Sequence, residues 1–369
     1  MTSKLGFTFS PEITSTSLHF NDTNASTVVQ YDQDTYSLIN TTKDSNGQDG
    51  GGSYDELREV LRYVYMSWGD VFISVCVLGV LANSLALLVW CGEKAYNATT
   101  FLFKYLAVCD NVYLAVFGAF VACVQRKVNA NPIVFVANAA QLLSAHTTLL
   151  VAITRWLAVF KPLHARVLLD PRRVIAACVA LLVWCLLLES VHVVMEYGRV
   201  ELSESIEMTA IYSKMVVGLV LPLLLLLGFN VALVWTAYRR RQASSGLGRR
   251  GQGGQSSGRV TLAVVCMSVT CLLAYPVGIV VQLLEAFLCF GPDQSHSCNV
   301  SVFSDLYVAT ILLQIINSSV NIVYYCAFAS HFRQLLTERV NYCRTRRSAA
   351  DETFTSGGGN TAAPGLAQS

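Results

Sequence analysis

Charge is scarce in this chain. Only 14% of its 369 residues are Asp, Glu, Lys or Arg, while 53% are hydrophobic, too apolar a balance for one water-soluble core and its hydrated surface. Other absences narrow the chemistry. There is no glycine-rich phosphate loop and no His/Cys spacing suited to a metal, and His146 and His192 have no nucleophile near them in sequence, which argues against an enzyme. No internal repeat marks two related halves, as transporters commonly show. A proton-coupled transporter relaying through Asp110, Glu189 and His192 is therefore the lesser alternative. The first twenty residues lack a positive start with an apolar core, so the first membrane span is expected to serve as the export signal.

What the chain does have is a set of long apolar runs. They cover residues 66–90, 101–124, 133–160, 174–195, 211–238, 260–290 and 302–328, each longer than the ~20 residues that a helix needs to cross hydrocarbon. An all-α integral membrane protein of seven transmembrane helices follows. Basic residues set its orientation, because Lys and Arg gather on the cytoplasmic side. One set of connections holds Lys94, Lys104, Lys161, Arg166, Arg172, Arg173, Arg239, Arg240, Arg241, Arg249, Arg250, Arg259, Arg333, Arg339, Arg344, Arg346 and Arg347, while the opposite set holds only Arg126, Lys127, Arg199 and Lys214. The N-terminus is thus expected outside, in a plasma-membrane, multi-pass protein.

Sequons at Asn21, Asn24, Asn40 and Asn299 fall on the outer side and are expected to be glycosylated. Two more, at Asn97 and Asn317, fall where the modifying enzyme does not reach. Residues 1–62 are read as an extracellular, disordered arm, since the leader to about Gly52 is too polar to bury a core. Residues 63–340 form the membrane domain, with a short basic inner loop at 239–259. In "ASHFRQLLTERVNYCRTRR", Phe332, Leu335, Leu336 and Val340 line one face between cations, which predicts a helix over 329–340 lying on the inner leaflet. Residues 341–369 are read as a disordered cytoplasmic tail.

Polar side chains inside the spans are costly and need partners. Asp110, deep in the second run, must find donors, find a cation or take up a proton. Asn83, Ser144, Asn317 and Asn321 are available to it. An uncharged hydrogen-bond cluster that fixes helix packing is the plain alternative to a functional site.

Taken in order, "GVLANSL" in the first span, "LAVCD" in the second, "ITRWLAVFKPLHAR" closing the third, Trp184 in the fourth, Pro222 in the fifth, Pro276 in the sixth and "NSSVNIVYY" in the seventh resemble a rhodopsin-like (class A) G-protein-coupled receptor. "FASHFRQLL" resembles that family's eighth, membrane-parallel helix. The resemblance covers roughly residues 63–340. It implies that Arg155 is the arginine that meets a heterotrimeric G protein on activation, with arrestin and membrane lipid as further partners and no nucleic acid. It also implies an inactive-state sodium site at Asp110, Ser144, Asn317 and Asn321, all oxygen donors suited to a hard cation.

The chain departs from the family at several of these positions. The acidic neighbour that usually restrains the arginine is replaced by Thr154, and the usual tyrosine after it by Trp156. A hydroxyl should restrain Arg155 more weakly than a carboxylate, by about 1 kcal/mol, so raised basal signalling is expected. Ala274 stands where a tryptophan usually precedes the sixth-span proline, Ile322 where a proline usually follows Asn321, and Asn230 where a tyrosine usually completes the active network. Tyr325 keeps its spacing from Asn321 and is expected to meet Arg155 through water. These changes leave open a constitutive or non-signalling seven-helix protein.

The family's usual outer disulfide is missing, since Ala130 occupies the third-span position. Cys289 and Cys298 flank "FGPDQSHS" and are expected to staple the last outer loop, worth about 2 to 3 kcal/mol. Cys123 has no obvious partner. Cys343 is a candidate for palmitoylation or a free inner thiol. For the ligand, Ala137 replaces the aspartate of amine receptors and the seventh span has no retinal-binding lysine. What remains is Phe117, Phe120, Asn138, Gln141, His192, Gln282, Glu285, Tyr307 and Gln314, of which half would equally serve as interhelical bonds or packing. Glu189 and His192 face either the cavity or the neighbouring spans. Glu196, Glu201, Glu204, Glu207, Glu285 and Asp293 make the outer mouth mildly acidic, which favours a cationic ligand. "HTTLLVAITRWLAVFKPLHAR", the missing cysteine and "NSSVNIVYYCAFASHFR" resemble the FMRFamide-receptor-like branch of invertebrate neuropeptide receptors and their vertebrate orphan relatives. That resemblance implies a basic, amidated neuropeptide, with a small molecule or aromatic amino acid as the alternative.

Overall fold

A computed structural model of the chain describes residues 52–93, 96–128, 131–197, 212–245, 252–289 and 300–357, together with Thr209. Among these, every regular element is helical: α1 Gly52–Trp90, α2 Ala98–Gln125, α3 Asn131–Phe160, α4 Pro162–Leu168, α5 Pro171–Tyr197, a π-helical turn Val216–Val220 leading into α6 Leu221–Ser245, α7 Gln252–Cys289, α8 Val300–Ser319, α9 Asn321–Phe328 and α10 Ser330–Gly357. Six helices are long and apolar enough to cross a bilayer, and α8 with α9, bent by 43°, make the seventh span.

Local chemistry explains the boundaries. Asn97 lies just before α2 and its side chain accepts the Thr99 N–H at 3.0 Å, so this internal sequon is a helix cap. Asp170 does the same for Arg172 at 3.2 Å, with Pro171 at the first helical position, where its missing N–H costs nothing. α2 closes with Lys127 N–H on the Val124 carbonyl and Val128 N–H on that of Cys123, both 2.9 Å. That pattern demands a left-handed residue, which is Lys127 at φ 57°, where glycine is usual. In the fifth span Pro222 has no N–H and its ring crowds the carbonyl four residues back. The helix widens just ahead of it, with the Leu221 N–H reaching Val216.

The third span is the hub. Of its membrane window 61% is buried against protein, compared with 39% or less in the windows of the other unbroken spans. Lipid takes the rest. On α1, Leu78, Leu81, Leu85 and Leu88 form an exposed stripe while Phe72, Cys76, Asn83, Ala86 and Val89 face inward, the helical period of a span with one lipid side. Glycines bring spans close. A Cβ on Gly79 would collide with the Ser319 hydroxyl and lie 2.7 Å from Leu114, and one on Gly278 would lie 3.0 Å from Thr310.

Three boundaries differ from the hydropathy reading. Helix begins at Gly52, inside the expected arm; α6 and α7 leave only 246–251 between them; and α10 runs to Gly357, beyond 340. Hydropathy marks the hydrocarbon portion only; the Arg, Gln, Leu and Glu that flank it in α1 and α10 are good helix formers, while propensity does not account for the Gly- and Ser-rich start of α7. Lys214, counted with the outer connections, lies inside the fifth span, Tyr212–Arg239.

Candidate functional site

Asp110 is fully buried, and a carboxylate there survives only with donors. The Ser144 hydroxyl of α3 donates to one oxygen at 2.5 Å and the Asn321 amide of α9 to the other at 2.7 Å. The Ser318 hydroxyl stands beside the carboxyl outside hydrogen-bond geometry. Asn317, one turn earlier and buried, makes none of these bonds. Of the four residues expected at a sodium site the structure therefore joins three. Their free lone pairs are all oxygen, and no group of three His, Cys, Asp or Glu occurs among the described residues; the donor set fits a hard monovalent cation and not a transition metal.

The same cluster explains a bend that the sequence gives no proline to make. Asn83 of α1 donates to the Ser318 carbonyl at 2.7 Å, and Ser319 turns its hydroxyl back onto Ile315 at 2.7 Å. The first occupies the Ser318 carbonyl at the break, and the second adds a side-chain bond to the Ile315 carbonyl, a pattern that bends helices. The chain breaks at Val320, and Asn321 restarts it with its side chain already on Asp110. At the end of α9, Arg333 donates to the carbonyls of Cys326 and Ala327 at 3.0 and 2.8 Å, satisfying groups that a helix end leaves open.

At the inner end of α3, Thr154 is buried and its hydroxyl donates to the Val151 carbonyl of its own helix at 2.9 Å. It is not spent on Arg155. The Arg155 Nε is buried without a partner, and among the described residues no carboxylate lies within ion-pair distance of the guanidinium. Trp156 stacks on Phe160 at 5.2 Å and meets Phe229 of α6 edge-on at 5.5 Å. Beside Phe229, Asn230 donates to Leu226 at 2.7 Å and leaves its own carbonyl oxygen unpaired. Tyr325 is fully buried among Trp90, Phe103 and Phe332, with centroids at 5.0 to 5.5 Å, and its hydroxyl has no partner.

Higher in the bundle, Tyr275 precedes Pro276 in α7 and donates its hydroxyl to the Gln141 carbonyl of α3 at 3.1 Å. Ala274 is buried beside it, and the Gln141 side-chain amide nitrogen is buried without a partner. Phe117 and Phe120 pack around Tyr65 at 6.3 and 5.1 Å; Tyr307 packs against the same outer cluster. Gln314 lies against Gly278, and Asn138 is half-buried. Glu189 is buried and bonded to Lys214 at 2.9 Å, so it faces the fifth span. Sequence reading missed Lys214 and Tyr275. A lysine in an apolar run, which must find an anion, was the available signal for the first; nothing local announced the second. Cys123 is a free thiol. The side chains of His192, Gln282, Glu285, Cys289, Cys298 and Cys343, and the sequons Asn21, Asn24, Asn40 and Asn299, lie outside the described residues.

Comparison with known proteins agrees with this architecture. A galanin-like G-protein coupled receptor of Caenorhabditis elegans, npr-9, is 22% identical over 326 aligned positions, covering 76% of this chain and 74% of the relative. G-protein coupled receptor 35 of Mus musculus is 27% identical over 219 positions, covering 56% of this chain and 69% of that one. Residues 82–325, from within the first span to Tyr325, match the profile of the 7 transmembrane receptor (rhodopsin family). With seven apolar spans packed around a buried carboxylate and an arginine closing the third, the chain belongs to the rhodopsin family of seven-transmembrane receptors and is not an enzyme.

Proposed function

We propose that this receptor sits in the plasma membrane with its N-terminus outside, takes a basic and amidated neuropeptide at its outer mouth, and activates heterotrimeric G proteins through Arg155. The observation that carries the coupling role is the state of Arg155 itself. A guanidinium whose Nε is buried without a partner and which has no carboxylate neighbour among the described residues is held in reserve for a contact that the resting bundle does not make. Thr154 leaves it unrestrained, so agonist-free output is expected above that of empty cells. The peptide reading rests on the acidic outer residues and on the galanin-like relative, whose name comes from a peptide receptor class.

Asp110, Ser144 and Asn321 would hold a sodium ion, which supplies a positive charge against the buried carboxylate and stabilises the resting packing. Arrestin and inner-leaflet lipid, the latter along α10, complete the partners. A proton relay through Glu189 loses its support, because that carboxylate is committed to Lys214. A non-signalling seven-helix protein is the second reading, favoured by Ala274 and Ile322.

The test is agonist-free second-messenger output, across several G-protein families, for the wild type beside Arg155→Ala at matched surface density. Output that Arg155→Ala abolishes supports a leaky receptor. Output that survives the change would mean that Arg155 is not the coupling residue.

A further inference from the structure

We infer that Tyr275 is a positioning residue that holds α7 in its resting place against α3 through its hydrogen bond to the Gln141 carbonyl, and that losing this bond moves the receptor toward signalling. The inference rests on the G-protein-coupling function proposed above.

Three observations converge on it. Tyr275 is 3% exposed, so its hydroxyl has no water to exchange partners with, and breaking the bond leaves a polar group in an apolar core. It lies directly before Pro276, where α7 lacks an internal hydrogen bond and is weakest against bending. Its partner is a backbone carbonyl of the most buried span, whose second lone pair is open to a side-chain donor while the helix keeps the first. The bond therefore ties the flexible point of one span to the rigid hub of the bundle.

Beside Tyr275 in the α7 core, Cys271 and Ala274 are small and buried, and the nearby hydroxyls of Ser268 and Thr270 donate within α7 itself. On its other side α7 is pressed against α8, where Gly278 admits Thr310 and Gln314. A rotation of α7 that frees its inner end carries the tyrosine hydroxyl away from Gln141, while the α8 contact is close packing of Gly278 against the Thr310 methyl and the Gln314 amide. A phenylalanine ring in the same place would fill the same volume and lack only the oxygen, so Tyr275→Phe isolates the bond from the packing.

The experiment uses the full chain. Agonist-free second-messenger output per surface receptor is compared for wild type, Tyr275→Phe, Arg155→Ala and the double variant Tyr275→Phe/Arg155→Ala. The purified wild type and Tyr275→Phe proteins are also followed by amide hydrogen exchange over residues 258–271. Tyr275→Phe should raise output about two- to tenfold, the ratio that one net hydrogen bond supports, with the rise lost in the double variant and exchange faster in 258–271 than in α2. A side chain serving stability alone would lower surface density and leave output per receptor unchanged. If wild-type output depends on Arg155 yet Tyr275→Phe leaves it unchanged, the latch is overturned and the coupling role stands. If no variant signals, the coupling role fails and exchange decides the latch: faster exchange in 258–271 supports it, and unchanged exchange overturns it.

Discussion

At Thr154 one side chain decides how firmly the resting state is held. Its hydroxyl is turned onto Val151, so the residue that neighbours Arg155 gives it nothing. Thr154→Asp places a carboxylate at a buried position next to an under-partnered guanidinium, and a charge-assisted bond there is worth about 1.5 to 3 kcal/mol. Agonist-free output should fall about tenfold or more by that figure. An unchanged output in the aspartate variant would show that Arg155 is restrained by other means. Asp110 carries a second expectation. Replacing sodium by N-methyl-glucamine should lower the Tm of the purified wild type and leave that of Asp110→Asn unmoved; a wild type indifferent to sodium would leave the cluster as packing alone. Lys214 and Glu189 form a part-buried pair in which only the carboxylate is fully enclosed. Lys214→Met strands the Glu189 carboxylate and should cost about 1 to 3 kcal/mol, whereas Lys214→Met with Glu189→Leu should be near neutral, read as Tm in detergent.

Among the elements, the spans themselves were legible because twenty apolar residues have one meaning in a chain this poor in charge. The third span, 133–160, coincides with the helix window found. Asp110, Ser144 and Asn321 were legible as a group for the same reason: polar groups in hydrocarbon must meet. The bend in the seventh span was not, since sequence reading assigns bends to proline and Ile322 stands where one was sought. The bond from Asn83 that bends the helix joins residues 235 apart in sequence, and no local pattern encodes it. The Tyr275 bond, 134 residues apart, was hidden likewise. The end of α2 offers a test at this scale. Lys127 holds a left-handed conformation that costs an L-residue about 1 to 2 kcal/mol, and glycine recovers part of it while gaining freedom when unfolded. Lys127→Gly should therefore raise stability by up to about 1 kcal/mol, and a lowered Tm would mean that the lysine side chain holds α2 in place.

The whole molecule is organised around a central span with the others arranged so that one face of each meets lipid. Such a bundle has little apolar driving force between helices, because lipid tails are as apolar as leucine. Its cohesion comes from close approach and from buried hydrogen bonds. Gly79, whose missing Cβ makes room for Ser319 and Leu114, is where the first span meets the seventh. Gly79→Val should separate them and reduce surface expression and Tm together, while Gly118→Ala, whose Cβ would meet only Cys76 at 3.5 Å, should be tolerated. Loss of expression in both would point to a general intolerance of α1 and α2 to added volume.

The bend between α8 and α9 has a mechanical corollary. A proline hinge is covalent and permanent, whereas this one is set by an amide from α1, a hydroxyl from α8 and a carboxylate from α2, each of which can let go. The joint is thus held by contacts that can let go: residues 317–325 contain no proline, so the 43° bend rests on three polar grips and not on a fixed ring.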